Sequence, residues 1–161
     1  KYLFNMKKII ILLSLISFNA IGAGTSSSTE NSTESSDQIT MLYELAETHI
    51  ANKSYDKSLK LLKKLTKRED LATKRADIYN LLGFSYRKLE NPDLDKSFAA
   101  YMMAIEIDPS HLGAHEYLGE LYLMRDQKDK AVIILKKLDQ LAGSNTEEYK
   151  ELKIAIDDYQ S

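Results

Sequence analysis

His111 and His115 stand four residues apart, a spacing that on a helix puts two imidazoles on one face, where they could begin a metal site. No third ligand accompanies them, and a chain without Cys offers no thiolate, no disulfide and no Cys nucleophile. Glu147-Glu148 and Asp157-Asp158 are adjacent acids, which point to different faces of a helix and do not converge as a general acid and base. There is no Gly-rich phosphate loop, nucleophile elbow or zinc-protease signature. No catalytic residue, metal or cofactor is therefore expected, and the chain is not expected to be an enzyme. Lys57, Lys60, Lys63, Lys64, Lys67 and Arg68 form a basic stripe, the pattern of a solvated helix face, with anionic envelope lipid as the functional alternative.

The elements that would position such residues are helical. Of 161 residues, 43% are apolar and 29% charged, which suffices for a core, while only 6 Gly and 2 Pro disfavour a turn-rich β architecture. Residues 1–23 differ from the rest. Lys7 and Lys8 precede the apolar run Ile9 to Phe18, followed by the small residues Ala20, Gly22 and Ala23, the three-part pattern of a secretory signal; residues 1–5 precede the expected start, Met6. The run is too short for a permanent bilayer span of roughly 20 residues. Cleavage near Gly22 or Ala23 is expected, with an uncleaved inner-membrane anchor as the alternative. It would remove three lysines and no acid, leaving 19 basic and 24 acidic residues, a balance unsuited to nucleic acid. Residues 24–37, rich in Ser and Thr, offer nothing to bury and are expected to be a flexible spacer.

Self-similarity organises the remainder. Leu82-Gly83-x-x-Tyr86 recurs 36 residues later as Leu118-Gly119-x-x-Tyr122, and a weaker copy, Leu45-Ala46-x-x-His49, precedes it. Each copy is followed by a second amphipathic segment, Tyr55 to Leu65, Leu94 to Ile107 and Lys128 to Leu141. Small residues at 46, 83 and 119 and at 58, 97 and 131 mark close helix approach. Leu45, Leu82, Leu118, Tyr86, Tyr101 and Tyr122 are expected on the core face. Pro109 and Gly143 end helices, and Asn145 with Glu148 suits the start of another. In that last segment Tyr149, Leu152, Ala155, Ile156 and Tyr159 share a stripe, with Lys150, Glu151, Lys153, Asp157 and Asp158 facing away: a solubilising cap for an open stack.

These residues resemble the tetratricopeptide repeat, best in Tyr79, Leu82, Gly83, Tyr86, Ser97, Tyr101, Ala104 and Pro109, given an insertion near Asn91-Pro92. The segment Glu148-Tyr149-Lys150-Glu151-Leu152 is also similar to the last helix of small exported bacterial proteins of that kind. The expected fold is all-α: a solenoid of three hairpins (39–72, 76–111 and 112–145) and a capping helix (146–160), about seven helices, the domain spanning 38–161.

The resemblance further implies that the first helix of each pair lines a concave groove, exposing there Thr40, Tyr43, Glu47, Ile50 and Ala51; Asp77, Asn80, Phe84, Arg87 and Lys88; and Gly113, Glu116, Glu120, Leu123 and Met124. Tyr43, Ile50, Phe84, Leu123 and Met124 lie outside the core pattern and are expected to meet a partner's apolar residues. The Lys and Asn clamp by which some such domains grip a terminal carboxylate is absent, its positions holding Tyr43, Glu47, Leu81, Gly113 and Tyr117. The resulting expectation is an exported, periplasmic, non-catalytic adaptor that takes a peptide segment or helix of another envelope protein. A self-assembling scaffold is the alternative. Neither nucleic acid nor a stable membrane span, once the signal is cleaved, is expected.

Overall fold

The computed structural model describes residues 30–68 and 74–160, so the expected signal segment lies outside the described residues. Those residues form seven helices and no strand: α1 (Glu30–Ala51), α2 (Tyr55–Leu65), α3 (Arg75–Arg87), α4 (Leu94–Ile107), α5 (Leu112–Met124), α6 (Lys128–Ala142) and α7 (Glu147–Asp157). Each helix packs on the next, and the odd-numbered helices also pack on one another in order, α1 on α3, α3 on α5 and α5 on α7. A closed bundle would bring the last helix back to the first. Packing limited to near neighbours is that of a solenoid, with α1, α3, α5 and α7 side by side along one wall.

Local chemistry sets the turns. Lys53 and Asp126, each two residues past the end of an inner helix, take the left-handed conformation (φ 55° and 56°), so hairpins one and three turn alike. The α3–α4 turn is longer, as the insertion predicts, and ends on Asp93, whose side chain accepts from the Lys96 N–H. Gly143, at φ 81°, ends α6. Helix α7 starts one residue later than expected. Thr146, not Asn145, is its cap, and its hydroxyl accepts from the Tyr149 N–H, satisfying a donor that has no partner within the helix.

Close packing occurs where small residues stand. A Cβ on Gly83 would lie 2.7 Å from the Tyr101 ring of α4, and Ser97 donates a hydrogen bond to the Gly83 carbonyl at 2.9 Å. A Cβ on Gly119 would meet Leu152 of α7 at 2.5 Å. The small residue in hairpin three thus admits the cap, not only its own partner helix. Ser58, Ala131 and Ala46 are buried as well.

Two expectations fail. Residues 30–37 are helical, not a spacer: no Gly or Pro occurs between residues 25 and 82, and once α1 is anchored by packing, propagation toward its N-terminus costs little. Leu45, placed on the core face by its register, is 43% exposed, whereas Leu82 and Leu118 are buried. Leu82 joins Leu59, Leu62 and Leu65 of α2, and Leu118 joins Tyr101 of α4. The position packs against the preceding hairpin, and among the described residues no hairpin precedes α1.

Candidate interaction surface on the inner wall

The wall formed by α1, α3 and α5 carries polar residues at its accessible positions, and most of them pair across or along it. On α1, burial pushes the Tyr43 phenol well above its ordinary range, aided by the charges of Glu47 and Asp77 and a hydrogen bond to Glu47. Burial likewise raises the Glu47 carboxyl, against the opposing pull of Lys74. The Lys74 ammonium sits 4.7 Å from the centre of the Tyr43 ring.

Between α3 and α5 two further ties form. His111 caps α5 by accepting the Ala114 N–H on Nδ1, and its Nε2 lies 3.0 Å from Asp77 Oδ1. Burial alone would lower the His111 pKa, but the hydrogen bond and charge of Asp77 outweigh it and hold it above the ordinary value. Lower on the wall, Arg87 Nη1 donates to Glu120 Oε2. Arg87 is 3% exposed, and its guanidinium lies 5.2 Å from the Tyr117 ring centre and 5.6 Å from that of Phe84. Burial would lower its pKa; Tyr101 and Glu120 more than compensate, so it stays charged. Lys88 beside it is held below its ordinary value by burial and then by the Arg87 charge.

The apolar part of the expected site is not on offer. Phe84 is 2% exposed, enclosed edge-on by Tyr55 at 6.2 Å and tilted against Tyr117 at 5.2 Å. Ile50, Asn80 and Leu123 are buried too, Leu123 in the cluster that contains Leu152 and Ile156 of α7. The expectation that Ile50, Phe84 and Leu123 face a guest is thereby corrected. Inner helices pack on one another, and Phe84 and Leu123 meet the next inner helix, at Tyr117 and in the α7 cluster. Tyr43, Glu47, Asp77, Lys88, Glu116 and Glu120 remain partly exposed, and Met124 is exposed.

The histidines are engaged within the fold. Both ring nitrogens of His111 are committed as above, and His115 is buried as a core residue with Nε2 at 3.0 Å from the Pro109 carbonyl. Tyr55 and Lys74 were not assigned to the wall from the sequence, and Tyr117 entered there only as a clamp position without a role. One signal could have found Tyr117: cross-wall partners lie near one repeat apart, 33 residues for Arg87 and Glu120 and 34 for Asp77 and His111, and Tyr117 stands 33 residues after Phe84. No helix among the described residues is long and apolar enough to cross a membrane.

No family model matches the chain. Over 80 residues, half of this chain, the sequence is 38% identical to tetratricopeptide repeat protein 37 of Xenopus laevis, of whose length that match spans 5%. The solved structure of MamA superposes with a TM-score of 0.62 at 19% identity, covering 80% of this chain and 72% of MamA. At that identity the likeness is one of fold. The sequence match is thus to a tetratricopeptide repeat protein, and the architecture is the helix-hairpin solenoid that the repeat resemblance implies.

Proposed function

We propose that this is a non-catalytic adaptor, exported to the bacterial envelope, whose inner wall receives a peptide segment or helix of another protein. The observation that carries the reading is the wall itself: three inner helices side by side, with Tyr43, Glu47, Asp77, Lys88, Glu116 and Glu120 partly exposed on it, Met124 exposed, and Ile50, Phe84 and Leu123 buried in the stack. A wall of this kind recognises by charge and hydrogen bonding, with Met124 supplying apolar contact at its C-terminal edge. Glu47, Asp77, Glu116 and Glu120 stand against Lys74, Arg87 and Lys88, and Arg87 is buried against Glu120, so a basic or mixed guest fits better than an acidic one. The Lys7-Lys8 and Ile9 to Phe18 pattern supports export.

Cross-linking in intact cells, followed by identification of the captured protein, tests the reading. Glu116→Lys together with Met124→Asp is expected to abolish capture while helicity is retained, because Glu116 is only partly buried and Met124 is exposed. Capture that survives this change moves the site off the wall. N-terminal sequencing of the mature protein tests export: a first residue near 23 or 24 supports it, and an intact residue 6 in the cytoplasmic fraction refutes it.

A further inference from the structure

The outer side of the stack, formed by α2, α4 and α6, differs in charge from the inner wall. These three helices carry nine Lys against five Asp and Glu, whereas α1, α3 and α5 carry two Arg against eight Asp and Glu. A chain of net charge −2 is thus divided into a basic side and an acidic side. The repeat fixes which residues point out. Ser58, Ser97 and Ala131, the small residue of each second helix, are fully buried, so α2, α4 and α6 turn equivalent positions outward. The positions one before and two, five and six after the small residue are exposed in all three helices.

On α2 these positions hold Lys57, Lys60, Lys63 and Lys64; on α4, Lys96, Ala99, Met102 and Met103; on α6, Lys130, Ile133, Lys136 and Lys137. Eight are lysine, four are apolar and none is acidic. Ile133 is 63% exposed and Met102 43%. Aromatic rings link the three helices into one face. The Tyr86 ring centre lies 5.2 Å from Lys63 Nζ of α2 and 5.7 Å from Lys96 Nζ of α4. The Phe98 ring of α4 lies 6.1 Å from that of Tyr122, whose centre is 5.3 Å from Lys130 Nζ of α6. The acids stand at the margins. Asp56, Asp95 and Asp129 occupy the first turn of each helix, where the helix dipole favours them, and Asp95 is paired with Arg125 at 2.7 Å. Asp93 pairs with Lys96, and Glu106 and Asp139 lie near the C-terminal ends of α4 and α6.

Lysines around exposed methionine and isoleucine suit a partner that is anionic at its surface and apolar just beneath, which describes a bilayer with acidic headgroups. Nucleic acid offers phosphate but nothing for Met102 or Ile133, and a second copy would set lysines against lysines. We infer that the outer wall of α2, α4 and α6 docks on an anionic bilayer surface, its lysines at the headgroup phosphates and Met102, Met103 and Ile133 among the first methylenes of the acyl chains. Docking of this kind needs no spanning helix and turns the acidic inner wall away from the bilayer. It does not rest on what the inner wall binds.

The chain has no Cys, so a single introduced one carries a label to a chosen face. Met103→Cys and, at the edge of the inner wall, Met124→Cys are labelled with an environment-sensitive fluorophore in the full chain and mixed with vesicles of phosphatidylglycerol or of phosphatidylcholine. The label at 103 is expected to brighten at least about twofold with phosphatidylglycerol alone, and to lose that rise as salt is added. The label at 124 is expected to stay unchanged. Reading one face separates docking of this wall from any hold exerted by Lys7, Lys8 and the run Ile9 to Phe18. Lys60→Glu with Lys136→Glu and Lys137→Glu, all exposed and so expected to leave helicity unchanged, is expected to raise the lipid concentration at half the rise at least about tenfold. No rise at 103, an equal rise at 124, the same rise with phosphatidylcholine, or indifference to the lysine substitutions overturns the inference. So does a rise at 103 given by polyglutamate or single-stranded DNA but not by vesicles, which would assign the wall to an acidic protein or to nucleic acid.

Discussion

At the C-terminal end of the stack, Leu152, Ala155 and Ile156 of α7 are buried while Lys150, Lys153, Asp157 and Asp158 face solvent, with Lys153 and Asp157 paired at 2.6 Å. At the N-terminal end, Met41 and Leu45 meet water directly. Both ends present an amphipathic helix with apolar residues at helical spacing, Met41 and Leu45 on α1 and Leu152, Ala155 and Ile156 on α7. The difference is that α7 has a hairpin to lie on, contacting both α5 and α6, whereas the outer side of α1 has none among the described residues. Burial in a solenoid is a property of the neighbour as much as of the residue, since each unit covers the apolar face of the next.

Truncation at the two ends measures that contrast. Leu152→Ala is expected to cost about 3 to 4 kcal/mol by urea denaturation, since Leu152 is fully buried and its removal leaves a cavity between α5 and α7. A loss below about 1 kcal/mol would mean that the cap is only loosely seated. Gly119→Ala is expected to cost about 1 to 2 kcal/mol, because its methyl would overlap Leu152, which is too enclosed to retreat, and the gain in helix propensity of roughly 1 kcal/mol does not offset it. Ala46, the equivalent residue in the first hairpin, is buried in the cluster that holds Leu59, Leu62, Ile78 and Leu82 and accommodates its methyl there.

The joint between the ends responds to pH. His111→Ala removes both the cap of α5 and the tie to Asp77 and is expected to cost about 1 kcal/mol. Because its folded pKa is raised, the charge contribution of His111 is fully present below the ordinary histidine value of about 6.5 and is lost as pH rises through the higher folded value. His115 acts oppositely. Burial lowers its pKa, so its contribution is present above about 6.5 and is lost as pH falls through the lower folded value. Asp77→Asn isolates the first effect: the stability gap to the parent protein, about 0.5 kcal/mol with Asp77 half-exposed, should shrink between pH 6 and pH 8 in thermal melts. A gap that widens with pH would show that His111 is neutral in the fold. Leu45→Ala is the smallest change, expected to stay within about 0.5 kcal/mol of the parent in the same urea assay. A loss like that of Leu152→Ala would show that something already covers the open end.

Much of this architecture was legible before any coordinates. Leu82-Gly83 and Leu118-Gly119 located the repeat, Pro109 and Gly143 marked helix ends, and the stripe from Tyr149 to Tyr159 announced a cap whose faces divide as expected. The helix ends and the cap are local signals, since helix period and turn chemistry act within a few turns, and the repeat shows itself by copying such a local pattern. The wall was less legible. Tyr43, Glu47, Asp77, Lys88, Glu116, Glu120 and Met124 keep some exposure there, but Ile50, Asn80, Phe84, Arg87 and Leu123 are buried, because the side that faces inward in one hairpin also faces the neighbouring inner helix.

The amino-acid order therefore determined by itself the number of helices, their pairing into three hairpins and the buried stripe Leu152, Ala155 and Ile156 of α7. Only the tertiary structure decided that Gly119 makes room for the cap, that Arg87 is buried with Glu120 between aromatic rings, and that Leu45 faces water while Leu82 and Leu118 do not. The physical reason is one of distance along the chain. A helix follows from neighbours three and four residues away, whereas the burial of its side chains follows from a unit some 33 residues away or, at the first hairpin, from the absence of one among the described residues.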